Sequence, residues 1–593
     1  MPRLTPLLCA CLALACARPA LRSSDEPSRN PSARLARLAG DYWDFVLRED
    51  PIEATWLGDR RFDTLLPDAS AAAHQHRLEM VGAFAKEVED VDPAPLSEEE
   101  RITRSVLLTH LHRTLSTEIC HSELWNINPL DGVQTQLGEL PSLHTISTEE
   151  QARALAERYR HAGTWLQQHM DNLRRGLQRG YLAPRVGVER VIAQLDRMLE
   201  SREKPADSSF VALAQLPADW SEPQRTAART ALATAATEGL FPALARYRDF
   251  LRNDYLAHAR PEPGVSANPD GPACYAARIQ ATVGRALTPE EIHRIGLSEV
   301  EKIEAGMKAI ALRRVGREDI AALKASLVAD PAQHPATREA VLSFNRELLK
   351  KVQARLPEVF GHLPKRRLEV KPIEEFREKD APAGYYYQGD EQGTRPGYYY
   401  VNTYNPSERT FFGMQPLAFH EGIPGHHLQG ALAQELEGLP AFRRNMGDGA
   451  FTEGWAHYAE RLADELGLYE GDAGRYGMYS DQSLRAVRLV VDTGLHSLGW
   501  SREQAIQYMV DHTAEPRGEA EREIDRYIVW PGQALAYKLG QLEILSLRDE
   551  ARRRLGDRFE LKAFHDAVLG HGALPLPVLR EVVTRWMDAQ APR

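Results

Sequence analysis

The chain of 593 residues is 43% apolar and 26% charged, with a net charge of −11 and a pI near 6.0. That composition is globular, with material for a large core. It argues against nucleic acid as a partner, because no basic tail or stripe is present to release counterions from phosphates.

In chain order, the first segment is MPRLTPLLCACLALAC, one Arg followed by an apolar run that ends in Ala13-Leu14-Ala15 before Cys16. This is the layout of a secretory signal over residues 1–15, and the run is shorter than the about 20 residues a membrane span needs. Ala13-x-Ala15 suits an ordinary signal peptidase. Cys16 after a small residue suits acylation, so the chain is expected in the periplasm or anchored to a bacterial envelope membrane as a lipoprotein through Cys16. Residues 16–32, rich in Pro, Ser and Arg, read as a flexible tether. Of the cysteines left after export, Cys120 and Cys274 are free to pair in an oxidising compartment, although two lone cysteines are more often buried and unpaired.

Residues 33–593 read as one mainly α body, with two lobes of about 33–265 and 266–593. LARLAGDYWDFVLRED and SEEERITRSVLLTHLHRTL carry apolar residues at three- and four-residue steps. ARPEPGVSANPDGPAC is the loop at which the lobes are expected to meet. LTPEEIHRIGLSEVEKIEAGMKAIAL opens with Thr288 as a cap, Pro289 in the first turn and acids after it. Between about 366 and 404 the texture changes to RRLEVKPI, AGYYYQG and PGYYYVNTY, short aromatic runs separated by Gly and Pro that predict a small antiparallel sheet. Helices resume near 415.

The first of these later helices carries AFHEGIPGHHLQ, residues 418–429. A hydrolytic zinc site needs three protein ligands, an open position for water, and a carboxylate to take the proton of that water. His-Glu-x-x-His supplies two ligands one helical turn apart with the base between them. Here His420 and Glu421 fit, but the second His is displaced to 426 or 427. In a straight helix residue 427 would lie about 10 Å further along the axis, and residue 426 about 120° around it. The helix cannot run straight, however. Pro424 lacks an N–H and clashes with the carbonyl of His420, Ile423 is pushed out of the α region, and Gly425 accepts whatever angles remain. A bulge at Ile-Pro-Gly that loops out two residues brings His426 into place; three would bring His427.

A third ligand is expected from DGAFTEGWAHYAERLADEL, in which Glu453, His457 and Glu460 fall on one helical face. Gly454 and Ala456 permit close helix approach, and Thr452 is a candidate cap. A Glu some thirty residues after the first His is the gluzincin metallopeptidase pattern, so Glu453 is the expected ligand, with His457 behind it or donating to the transition state.

PIEATWLGD, LTPEEIHRIGLSEVEKI, GYYYVNTY, HEGIPGHHLQ, TEGWAHYAERL and DRYIVWPGQALAYKLG together resemble the mostly bacterial family known as domain of unknown function 885, over about residues 35–590. The resemblance implies a helical, cleft-bearing fold akin to gluzincin-type zinc peptidases, with Zn2+ as cofactor. It favours His426 over His427 as the second ligand, because Pro-Gly-His is the retained part of the motif. It also implies that the strand before the metal helix binds a short peptide substrate by β-augmentation, with Tyr400, Asn402 and Thr403 lining the cleft beside His427. From the late helix it implies an oxyanion donor, Tyr527 before Tyr537, and a cation for a substrate carboxylate, Arg526 or Lys538. The expected activity is peptide hydrolysis with Glu421 as general base. The competing readings are hydrolysis of a non-peptide ester or amide, and a non-catalytic binding lipoprotein.

Overall fold

The structure is a computed structural model that describes residues 30–590 apart from 376, 377, 380 and 390–394. The expected signal, Cys16 anchor and most of the tether lie outside these residues. The chain is mainly helical with one small sheet, and no helix among the described residues is long and apolar enough to cross a membrane.

The helices begin where side chains satisfy their first free N–H groups. After the helix Pro31–Glu49, an antiparallel pair forms from α1 (Ala71–Glu89), capped by Ser70, and α2 (Glu98–Ser116), where Ser97 and Glu100 make a reciprocal capping box. α3 (Pro289–Val315) starts as expected, with Thr288 accepting from the Glu291 N–H and Pro289 at its first position. Leu35 to Leu111 share one apolar core with Val341 to Met587, while a separate core is built between Ile52 and Ala259.

The sheet departs from expectation. β1 (Leu368–Pro372), β2 (Gly384–Tyr387) and β3 (Gly397–Val401) lie in the order β1-β3-β2, with β1 parallel to β3 and β2 antiparallel to it. It is therefore mixed, not antiparallel, because β2 and β3 form a hairpin whose second strand inserts beside β1. The strand nearest the His-Glu helix in sequence, β3, is central and has no free edge; the edge strands are β1 and β2.

The helices around the motif are α4 (Phe411–Glu421), α5 (His426–Glu435), α6 (Gly449–Glu465), α7 (Gly471–His496) and α8 (Leu535–Leu555). α6 is capped by Asp448, which accepts from the Phe451 N–H at 3.0 Å, and not by Thr452, which sits one turn inside and donates to the Asp448 carbonyl at 2.9 Å. α6 and α8 cross at Gly454 and Gly540. A Cβ on Gly454 would lie 2.6 Å from the Gly540 Cα, and one on Gly540 would lie 1.9 Å from the Ala450 carbonyl oxygen. Only glycine at both positions permits this backbone approach, which sets the depth at which α6 presents its polar face. Cys120 and Cys274 are joined as a disulfide, correcting the expectation that two lone cysteines stay unpaired.

Candidate metal centre

The Ile-Pro-Gly segment does not bulge within one helix; it separates two. α4 ends at Glu421 and α5 begins at His426, with Gly422–Gly425 as an elbow containing a cis Ile423–Pro424 peptide. Pro424 cannot supply the N–H a continuing helix requires. The elbow is closed by the His427 N–H donating to the Gly422 carbonyl at 3.0 Å, and is pinned to α6 by the Trp455 indole N–H donating to the Pro424 carbonyl at 2.9 Å. At Gly425 a Cβ would fall 1.9 Å from the His420 carbonyl oxygen, so the turn-back is available to glycine alone.

The elbow brings the last turn of α4 and the first turn of α5 to one point facing α6. The His420 and His426 rings stand edge to face, 4.7 Å between centroids. His420 Nε2 lies 3.4 Å and His426 Nε2 3.7 Å from Glu453 Oε2, and the donor atoms of the three residues all lie within 4.8 Å of one another. Donors around a tetrahedral zinc with bonds of about 2.0–2.1 Å stand about 3.3 Å apart, so two imidazoles and one carboxylate in this arrangement fit a divalent ion. The His420 side chain is buried, whereas 14% of His426 and 23% of Glu453 remain exposed. The set is therefore open on one side, as an added water or substrate would require.

Behind the donors is a buried polar layer. Glu460, one turn beyond His457 on α6, bridges two imidazoles: Oε1 is 2.8 Å from His420 Nδ1 and Oε2 is 3.1 Å from His457 Nδ1. Gln482 on α7 donates to Glu460 Oε2 at 2.9 Å. A carboxylate on the far nitrogen of a ligating imidazole fixes the ring and aims its other nitrogen at the metal. Burial alone would lower the pKa of His420, but the Glu453 and Glu460 carboxylates outweigh it and hold it well above the usual imidazole value. Glu453 is held well below the carboxylate range: burial opposes this, and His420 and His426 prevail. Burial and the cations Lys538, Arg485, His420 and Arg488 keep His457 well below the usual imidazole value, so it stays neutral. Glu460→Gln is expected to weaken metal binding by about 10–100-fold without unfolding the chain; unchanged metal affinity in a chelator-competition titration would remove Glu460 from the site.

Glu421 lies at the end of α4, and its Oε2 accepts the Tyr386 N–H of β2 at 2.9 Å. This backbone group points away from β3, so the free edge of β2 faces Glu421. The remaining expected residues are not gathered at the donors. His427 turns to the sheet instead, 3.1 Å from the Tyr386 hydroxyl and 3.3 Å from the Arg366 carbonyl, and burial lowers its pKa to about 4. Tyr400 lies on the sheet face opposite Tyr399, stacked on Tyr385 at 5.1 Å, because neighbours on a strand alternate sides. Asn402 is buried, its amide donating to the carbonyls of Glu378, Ala381 and Pro382, and the buried Thr403 hydroxyl accepts from Arg338; both hold the loop beneath the sheet together.

The late helix behaves likewise. The buried Tyr527 hydroxyl accepts from Arg488 at 2.7 Å and donates to Glu523. Arg526 bonds Gln533, Glu523 and the Tyr537 hydroxyl, and Arg488 stacks over the Tyr537 ring at 4.4 Å. Lys538 is enclosed by Glu299, Gln482 and Gln541, and burial lowers its pKa to about 8 against the pull of Glu299. These groups form an interior network behind the centre. Glu460 shares the helical face of Glu453 in the sequence, but its partner His420 was not visible there and it was given no role; Gln482, Tyr386 and Tyr399 were not singled out at all. The Tyr399 hydroxyl is buried without a hydrogen-bond partner among the described residues. Burial first and the Glu421 charge second raise its pKa well above the usual phenol value.

No curated protein matches the chain. Among the solved structures similar to it are two described as lipoproteins. A crystal structure of a "putative lipoprotein" from Colwellia psychrerythraea is 28% identical, covers 94% of this chain and 100% of its own, and superposes with a TM-score of 0.87. A "putative lipoprotein of unknown function" from Shewanella oneidensis, 19% identical over 93% of this chain and 99% of its own at a TM-score of 0.74, shares the fold. The profile of the bacterial proteins of unknown function called DUF885 matches residues 51–583, and the chain therefore belongs to that family.

Proposed function

We propose that the protein is a zinc-dependent hydrolase that cleaves peptide bonds of short peptides. The observation that carries this reading is the convergence of His420 Nε2, His426 Nε2 and Glu453 Oε2 beside Glu421, whose carboxylate is held by the edge strand. A zinc ion at those donors would polarise a carbonyl and acidify a water. Glu421 takes the proton of the attacking water and returns it to the leaving amine. Glu460 keeps the His420 ring in its ligating orientation, and neutral His457 supports Glu460 from the other side. The free edge of β2 offers backbone groups to an extended peptide, which moves the substrate-binding role from Tyr400 and Asn402 to the segment around Tyr386. Buried, with its hydroxyl held by Arg488 and Glu523, Tyr527 belongs to the interior network and is not given the oxyanion role first expected of it.

A two-lobed, peptidase-like body belongs to this reading, supported by the separate apolar core between Ile52 and Ala259. So does an exported location with a lipid at Cys16, which the N-terminal sequence and the lipoprotein descriptions of the similar structures favour. The test is metal analysis of the purified chain, followed by incubation with a mixed peptide library with and without chelator. Cleavage that a chelator abolishes and zinc restores is the expected result. Chelator-insensitive cleavage, or turnover of ester and amide substrates but no peptide, would reject the assignment.

A further inference from the structure

β1, the edge strand on the far side of the sheet from β2, borders a cavity of about 700 Å³ that the proposed hydrolysis does not use. Its walls are the helix Arg338–Arg355, residues 363–367 and β1. The buried side chains of Leu349, Leu356, Ile423 and His427 form its floor. The volume lies within the range of about 300–1,000 Å³ of small-molecule sites. The donors of the metal centre face elsewhere, His420 and His426 towards Glu453 and Glu421 towards β2.

Two chemistries meet in this cavity. One is apolar. Leu368 and Val370 of β1 add to the floor, and Leu363 keeps 40% exposure beside them. A Cβ on Gly422 would meet Leu349 Cδ2 at 2.9 Å and Leu368 Cδ2 at 3.3 Å, so this floor is packed directly on the elbow between α4 and α5. The other is cationic. Arg346, Lys350, Lys365, Arg366 and Arg367 line the cavity against one carboxylate, Glu369, in a chain whose net charge is −11. Among the described residues, the side chains of Lys350, Lys365 and Arg367 have no carboxylate within ion-pair distance, whereas the neighbouring Arg346 and Lys351 each meet one, Glu339 and Glu470.

The loop that carries three of these cations is fixed through its main chain. The Gly361 and His362 N–H groups donate to Asp566 at 3.1 and 3.2 Å, and those of Lys365 and Arg366 donate to Glu435 at 2.8 and 3.0 Å. The nearby carboxylates are thus taken up by backbone, and the exposed heads of Lys365 and Arg367 are left for another anion. Cations held around one cavity repel each other, and an anion that enters it relieves that repulsion. The apolar floor adds affinity for each methylene that it removes from water.

We propose that this cavity binds a small anionic amphiphile. Its carboxylate or phosphate head is held by Lys350, Lys365 and Arg367, and its apolar tail lies on Leu349, Leu356 and Ile423. The site uses neither the three converging donors nor Glu421, so it does not rest on the hydrolase reading.

The test is isothermal titration of the purified full-length protein with octanoate, octanoyl lysophosphatidylglycerol and uncharged 1-octanol, each below the concentration at which it aggregates. Wild type is compared with Lys365→Glu and Arg367→Glu, both on exposed positions, with circular dichroism as the check on folding. At least one of the two anions is expected to bind, and each charge reversal is expected to weaken it by about 10-fold or more, as loss of a charge-assisted hydrogen bond does. Tighter binding of the lysophospholipid assigns the head to a lipid head group and tighter binding of octanoate to a free acid; either result upholds the site. Absence of binding by both anions, equal affinity for 1-octanol, or unchanged affinity in both variants overturns the proposal.

Discussion

Glu421→Gln is expected to lower peptide turnover by about 10²–10⁴-fold, the range for a positioned general base, while zinc content and folding stay as in the wild type. The amide matches the carboxylate in shape and retains a carbonyl oxygen to accept the Tyr386 N–H, so the contact at 2.9 Å has a substitute. What the variant loses is the capacity to take a proton. Glu421 is also not one of the three converging donors, which is why metal affinity and turnover are expected to separate. The measurement is kcat on a peptide cleaved by the wild type, alongside metal content by mass spectrometry. Full activity would dismiss Glu421 as the base, and loss of metal together with activity would make it a ligand instead.

Gly425→Ala is the largest structural perturbation of the centre that one methyl group can produce. The added Cβ meets the His420 carbonyl oxygen at 1.9 Å and the Phe419 carbonyl oxygen at 2.4 Å. Both are backbone atoms of α4 and cannot swing aside as a side chain would. Relief requires the elbow to open, and opening moves His426 away from His420 and Glu453. Overpacking of this kind costs about 1–3 kcal/mol, and zinc affinity is expected to fall more than about 10-fold, in the range by which disturbed ligand orientation weakens metal sites. Thermal denaturation and a chelator-competition titration read the two effects. Wild-type metal affinity in this variant would mean that the elbow does not position His426.

Residues near in sequence were the legible part of the centre. His420 and Glu421 are adjacent, His426 follows a proline and a glycine that forbid a straight helix, and Glu453 and Glu460 share one face of α6 because seven residues return nearly to the same side. The glycine and alanine on that face announced a close helix crossing, which Gly540 completes. The break at Ile-Pro-Gly was visible, but whether the chain would bulge or stop and restart was not, because that depends on Trp455 holding the Pro424 carbonyl from another helix. The late motif was misleading for a related reason. Arg526, Tyr527, Tyr537 and Lys538 have the chemistry of substrate contacts, and the partners Arg488, Gln482 and Glu299 that hold the last three lie 39 to 239 positions away in the chain.

What the chain determines locally is the set of helices, their caps, the three strands and the enforced turn between two imidazoles. These follow from propensity, proline and glycine sterics and periodicity, all of which act over a few residues. The tertiary structure alone decided that β3 lies between β1 and β2, that His427 faces the sheet while His426 faces Glu453, and that Glu460 reaches His420. Strand order and side-chain partnership are settled by burial and by hydrogen bonds between segments brought together only when the whole core packs, and no short stretch of sequence carries that information.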